Sequence, residues 1–179
     1  MAKGALNVLS KNDSGFYLMI EGGAIDRAAH SNQTGRLIEE FIDFNNTVGM
    51  VVDWTRANGG WEENLVIVTS NHGNGLIFGA QSQTIPFRDV FGIQAGLAPA
   101  IRWHTTNHTN ETVPLYAKGA GSELFHQCAH NLGGSFGMAI HSTDVFRVMQ
   151  GAVVPEPSGL LALGGALVGM ISLVRRQNG

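Results

Sequence analysis

Asp26 and His30 stand four residues apart in EGGAIDRAAH, and if a helix starts near Ala24 both side chains leave the same face, about one turn apart. A carboxylate and an imidazole at that spacing can share one metal ion. A third ligand from a later loop would give zinc three protein ligands and an open position, the arrangement of a catalytic rather than a structural site. His108, in WHTTNHTNE, is the residue chosen for that third place. His72 and its neighbour Asn71 end a second apolar run and can hold another cation close by. Glu21, which ends the first run, offers a hard oxygen suited to magnesium. Two neighbouring ions point to phosphoryl chemistry, because one polarises the leaving or attacking oxygen while the other stabilises its counterpart. The competing reading of Asp26 and His30, taken alone, is a solvated helix face beside a strand-ending glutamate.

Such residues need a scaffold, and the apolar pattern predicts one. Residues 16–20 read as a fully buried strand ending at Glu21, with Gly22 and Gly23 permitting a tight turn into a helix. From Thr34 to Ala57, apolar residues from Leu37 to Trp54 recur at three- and four-residue steps, which predicts a long amphipathic helix. Asn58, Gly59 and Gly60 end it, and residues 65–68 return as a second buried, parallel strand. A strand, a helix and a returning strand form a βαβ unit whose strand ends open on one side, so Glu21 and His72 are expected to be neighbours. Residues 73–111, rich in Gly, Thr, Asn and Pro, read as a functional loop in which His104 is a solvated histidine. A third strand is expected at 113–117, a weak helix at 123–129, and a last helix capped by Thr143. His126, His130 and His141 read as surface residues without a role.

A chain of 179 residues suits one domain with a real core, and a net charge of -3 speaks against a nucleic-acid partner. One cysteine, Cys128, excludes an intrachain disulfide and leaves the compartment open. The first residues lack the basic start, apolar run and cleavage site of a signal peptide.

EGGAIDRAAH, VIVTSNHGNG, HTNETVPLYAKG and STDVFRVM resemble four blocks of the alkaline phosphatases, in the right order. The likeness covers roughly residues 1–150 and is weakest between Ala80 and Arg102, so 1–152 is read as the C-terminal portion of an alkaline phosphatase-like domain. The resemblance implies an α/β fold, a three-layer α/β/α sandwich without its N-terminal part, hydrolysing phosphomonoesters with two zincs and one magnesium. It also implies roles. Asp26, His30 and His108 match ligands of the first zinc, His72 matches a ligand of the second, and Glu21 matches a magnesium ligand. Asn71 stands where the family has aspartate, so the second zinc loses a negative charge and should bind weakly. The family's serine nucleophile, bridging aspartate and phosphate-clamping arginine all precede the matched region. Ser14 in Asp13-Ser14-Gly15 leads into a strand, whereas the nucleophile should open a helix. The chain is therefore read as a fragment of a longer enzyme, begun at an internal methionine or cut from a longer sequence, and inactive alone.

Residues 153–179 resemble a PEP-CTERM sorting signal: VPEPS, an uncharged run over 159–174 expected to be an apolar helix, then Arg175 and Arg176. That resemblance implies export in a Gram-negative bacterium and temporary inner-membrane anchoring. An exosortase would then process the chain for release to the cell surface or beyond. Arginines directly after the run agree with a cytoplasmic C-terminus, and removal of residues 155–179 is expected to improve solubility. Expected partners are a phosphomonoester substrate, the exosortase and the inner membrane, with room for a homodimer. The alternative function is a surface-anchored, non-catalytic zinc- or phosphate-binding protein, and a third is a remnant without function.

Overall fold

A computed structural model describes residues 1–132, 137–153 and 170–175. Helix α1 (Ala2–Leu9) is anchored by its one buried side chain, Leu6, and leads to strand β1 (Phe16–Glu21). Two helices follow, α2 (Gly23–His30) and the 24-residue α3 (Thr34–Ala57), long enough to run the full depth of the domain. Gly59 and Gly60 then take φ of 83° and 63°, values that only glycine adopts freely, and turn the chain into the short α4 (Gly60–Glu63). Strand β2 (Asn64–Thr69) starts on a buried asparagine whose Nδ2 donates to the carbonyls of Asn58 and Gly60 at 2.8 and 2.7 Å, fixing that turn to the sheet.

Short pieces come next: β3 (Gly73–Asn74), β4 (Ile77–Gly79), β5 (Ile101–Trp103) and β6 (His108–Thr109). Then follow β7 (Leu115–Gly119), α5 (Leu124–Cys128), β8 (His130–Asn131), β9 (Met138–Ala139), α6 (Ser142–Val153) and β10 (Met170–Arg175). Four of the strands form the main sheet in the order β1-β10-β2-β7, and the others pair as β3 with β6, β4 with β5, and β8 with β9.

Apolar side chains close both faces of that sheet. On one face Leu6, Val51, Val66 and Leu173 are buried together, with Phe16, Leu18, Phe44 and Trp54 packed around them. On the other, Leu65 and Ile67 meet Phe125 of α5 and Val148 of α6. The alternation along β2 sends Val66 to one cluster and Leu65 and Ile67 to the other, as a pleated strand covered on both faces must.

The long helix and both strands of the βαβ unit stand where the pattern predicts them, and the third strand begins two residues later than expected, at Leu115, with four further differences. β1 is not fully buried: Tyr17 and Met19 are 49% and 42% exposed, because β1 is an edge strand covered on one face only. β1 and β2 are not adjacent. β10 lies between them, antiparallel to both, with Glu21 and Thr69 each opposite Met170. The strand ends do open on the same side, but two strand spacings, roughly 9.5 Å, separate them. The third difference is the last helix, which begins at Ser142 rather than after Thr143. The backbone N–H of His141 donates to Asp144 Oδ2 at 3.0 Å, so the reach-back of Asp144, not the Thr143 hydroxyl, fastens this end.

The fourth difference is the tail. Met170–Arg175 is a strand, not the end of an apolar helix, and Leu173 is 0% exposed in the core. An uncharged apolar run fits a central strand as well as a helix, and here the open edges of β1 and β2 offer backbone partners on both sides. The VPEPS motif, the rest of the run and Arg176 lie outside the described residues. No helix among the described residues is long and apolar enough to cross a membrane.

This placement reverses the expectation for truncation. Leu173→Ala should cost about 2–5 kcal/mol, the usual range for a fully buried leucine, and removal of residues 155–179 should cost more, because it also takes from β1 and β2 the strand that pairs with both. Urea unfolding followed by circular dichroism checks this; an unchanged midpoint in both variants would take β10 out of the core.

Candidate metal centre

Helix α2 carries Asp26 in its first turn and His30 in its last, with the carboxylate where the helix dipole favours negative charge. The four-residue step brings His30 Nε2 to 3.3 Å from Asp26 Oδ2. His108 arrives from far along the chain, on β6, and its register is set by pairing with β3, where Asn74 lies opposite His108. Asn74 in turn donates from Nδ2 to Asp26 Oδ1 at 2.6 Å, which locks the β3–β6 ladder to the helix. The approach of β3 to β6 is close enough to require glycine: a Cβ on Gly73 would stand 2.5 Å from both Glu111 Cγ and Thr109 Oγ1. From outside, Trp103 Nε1 donates to Thr34 Oγ1 at 3.0 Å and ties β5 to the start of α3.

Three ligand atoms result, one from each of Asp26, His30 and His108. His30 Nε2 and His108 Nε2 are 3.0 Å apart, His30 Nε2 and Asp26 Oδ2 3.3 Å, and His108 Nε2 and Asp26 Oδ1 3.5 Å. An ion about 2.0–2.1 Å from nitrogen and oxygen ligands in a tetrahedral site would space them about 3.3 Å apart, so the donors fit such an ion with one position left open. The imidazoles are also oriented for it. His30 Nδ1 meets the carbonyl of Thr106, which places the ring proton on Nδ1 and leaves the Nε2 lone pair facing the cluster. Asp26 is 16% exposed while His30 and His108 are 39% and 52% exposed, so the charge sits inward and the imidazoles at the opening.

His72 stands beside this centre. Its ring stacks on that of His108 at 3.5 Å between centroids, and its Nδ1 meets the Gly73 carbonyl at 3.1 Å, leaving Nε2 free. Asn71 is exposed on the turn next to it. Glu21 lies outside the three-residue cluster, its carboxylate against Gly23 at the start of α2. His104 has a structural partner: its Nε2 and Ser82 Oγ are 2.8 Å apart, pinning the long loop. An apolar cavity of about 340 Å³ lies behind the centre, lined by Asp26 and His72 but not by His30 or His108, with Leu37, Phe41 and Phe44 forming its wall.

Sequence reasoning missed Asn74 and Thr106. Asn74 carried a usable signal, a polar residue two positions after His72 in a glycine turn. Thr106 acts through its backbone carbonyl and carried none.

Residues 1–99 match the family model described as alkaline phosphatase. Among curated proteins, the chain is 36% identical over 120 residues to the membrane-bound alkaline phosphatase of Bombyx mori, covering 67% of this chain and 20% of that protein. It is 31% identical over 124 residues to the tissue-nonspecific alkaline phosphatase isozyme of Felis catus, covering 69% and 21%. With alkaline phosphatase 4 of Bacillus subtilis strain 168 it shares 27% over 188 residues, 73% of this chain and 40% of that one. The matched region thus spans between a fifth and two fifths of these relatives. No solved structure matches the chain.

If Asn74 orients the carboxylate, Asn74→Ala should weaken metal binding by about 10–100-fold, the usual effect of losing such a partner, and His108→Ala should weaken it further. Competition with a chromophoric chelator measures both. Equal affinity in Asn74→Ala and the unaltered protein would deny the orienting role.

Proposed function

This chain belongs to the alkaline phosphatase family, and from that premise we propose that it carries the metal-holding part of a phosphomonoester-hydrolysing site. One observation supports the reading above all: Asp26, His30 and His108, from two distant segments, present three ligand atoms at tetrahedral spacing. Zinc suits that set of one oxygen and two nitrogens, and magnesium suits the hard oxygen of Glu21. Zinc, when bound, supplies Lewis-acid polarisation of a phosphoryl oxygen. The protein's own contribution is orientation. Asp26 lends the charge, Thr106 fixes the His30 tautomer, Asn74 fixes the carboxylate, and His72 offers Nε2 to a second ion.

In this reading the second zinc is weak, since Asn71 gives His72 a neutral amide where a carboxylate would add charge. The nucleophile is not Ser14. That residue precedes β1, whose six residues put it roughly 20 Å from the Glu21 end. Helices on both faces of the sheet are in keeping with part of a three-layer sandwich. The same neutral Asn71 favours a second reading, a non-catalytic zinc- or phosphate-binding protein. For the tail, the proposed role remains sorting and export through an exosortase and the inner membrane. Its support is the sequence, with the last five residues of the apolar run taken into β10.

Two measurements test the proposal. After dialysis the chain should retain one zinc rather than two, and Asn71→Asp should raise the second; two tightly held zincs in the unaltered chain would refute the unequal sites. A chromogenic phosphomonoester at alkaline pH, with zinc and magnesium added, should turn over no faster than with His30→Ala. Robust turnover lost in His30→Ala would overturn the inactivity of this chain while supporting the hydrolase reading. Phosphate binding without turnover supports the second reading.

A further inference from the structure

Away from the metal centre, His130 opens β8 and His141 directly precedes α6, and both side chains are exposed. Their ring centroids are 5.0 Å apart with an interplanar angle of 28°. The two imidazoles of the metal centre, His30 and His108, stand at 4.8 Å and 36°. The second pair therefore has a similar centroid spacing, with its rings stacked rather than tilted. With each nitrogen about 2.0–2.1 Å from a shared tetrahedral ion, imidazole centroids fall about 5 Å apart, which both pairs satisfy.

Both histidines are held by backbone. His130 pairs with Ala139 across the β8–β9 ladder, so the strand preceding His141 is fixed to the strand that starts with His130. The backbone N–H of His141 donates to Asp144 Oδ2 at 3.0 Å, and the Asp144 N–H donates to the His141 carbonyl at 2.9 Å. Asp144 is 6% exposed and its other oxygen accepts from Arg147 at 3.0 Å, so this carboxylate is engaged in capping α6. The helix itself is seated by Val148, 2% exposed, against Phe125. Neither imidazole must be dragged from the core to meet its partner.

We propose that His130 and His141 form a second, independent site for a borderline transition-metal cation, copper(II), nickel(II) or zinc(II), bound by two imidazoles and completed by water. Neutral imidazole suits these ions, and copper(II) should bind tightest of the three. Among the described residues no third histidine, cysteine or carboxylate joins the pair, so the site is weaker than the three-ligand centre. The inference stands apart from the phosphatase reading, since neither residue belongs to the proposed phosphoryl site.

Copper(II) titration of the full chain, read by low-temperature electron paramagnetic resonance and by indicator competition, tests it. His108→Ala should lose the tight class of sites and keep the weaker one, with a signal typical of two nitrogen ligands. His130→Ala and His141→Ala should each keep the tight class and weaken the other by about tenfold or more, a change of about 1.4 kcal/mol. In imidazole proton spectra, the His130 and His141 resonances should broaden together at sub-stoichiometric copper in the His108→Ala protein. A weaker class that persists unchanged in both His130→Ala and His141→Ala overturns the proposal, as does broadening confined to one of the two rings.

Discussion

The hydrogen bond from Asn74 to Asp26, 2.6 Å long, is the tie on which the geometry of the metal centre depends. It joins the helix that carries two of the ligand residues to the ladder that carries the third, and that ladder is two residues long. A two-residue ladder has almost no stability of its own. Its register, Asn74 opposite His108, is held because Asn74 is fixed to α2 at one side and Trp103 to α3 nearby. The ion would close the same circuit a third time, so part of its binding energy is folding energy of the loop region.

Partial burial shapes what the centre can do. The carboxylate is the inward group and the imidazoles are the outward ones, so an incoming anion meets the imidazoles first. The stack of His72 on His108 places its imidazole directly beside the three-ligand cluster. Asn71, exposed beside His72, adds no charge to this arrangement.

What the sequence made legible follows from local rules. The four-residue step of Asp26 and His30, the long stripe ending at Asn58 and Gly59, and the apolar runs before Glu21 and Thr69 are short-range patterns, and each became an element with nearly those bounds. Choosing His108 needed more than local rules, since nothing in WHTTNHTNE says which histidine returns to α2; register did that, and His104 went to Ser82 instead. The neighbour of β1 was hidden for a related reason. A crossover fixes the direction of two strands but not what stands between them. The segment that does so, MISLVR, has no polar alternation to mark it as a strand, because a central strand shows apolar residues to both faces.

β10 also sets an order of events. Phe16 pairs with Arg175 and Asn64 with the same residue, so the middle of the sheet is made from segments up to most of the chain apart. During vectorial synthesis β1, α3 and β2 leave the ribosome long before the strand that must lie between them, and until it arrives β1 and β2 present two facing rows of unsatisfied amides and carbonyls. A chain with β1 and β2 made but β10 still to come carries two strand edges without their partner, and unpaired edges of that kind are what chaperones shield from neighbouring chains. Slow, late closure of a high-contact-order sheet is thus written into its strand order.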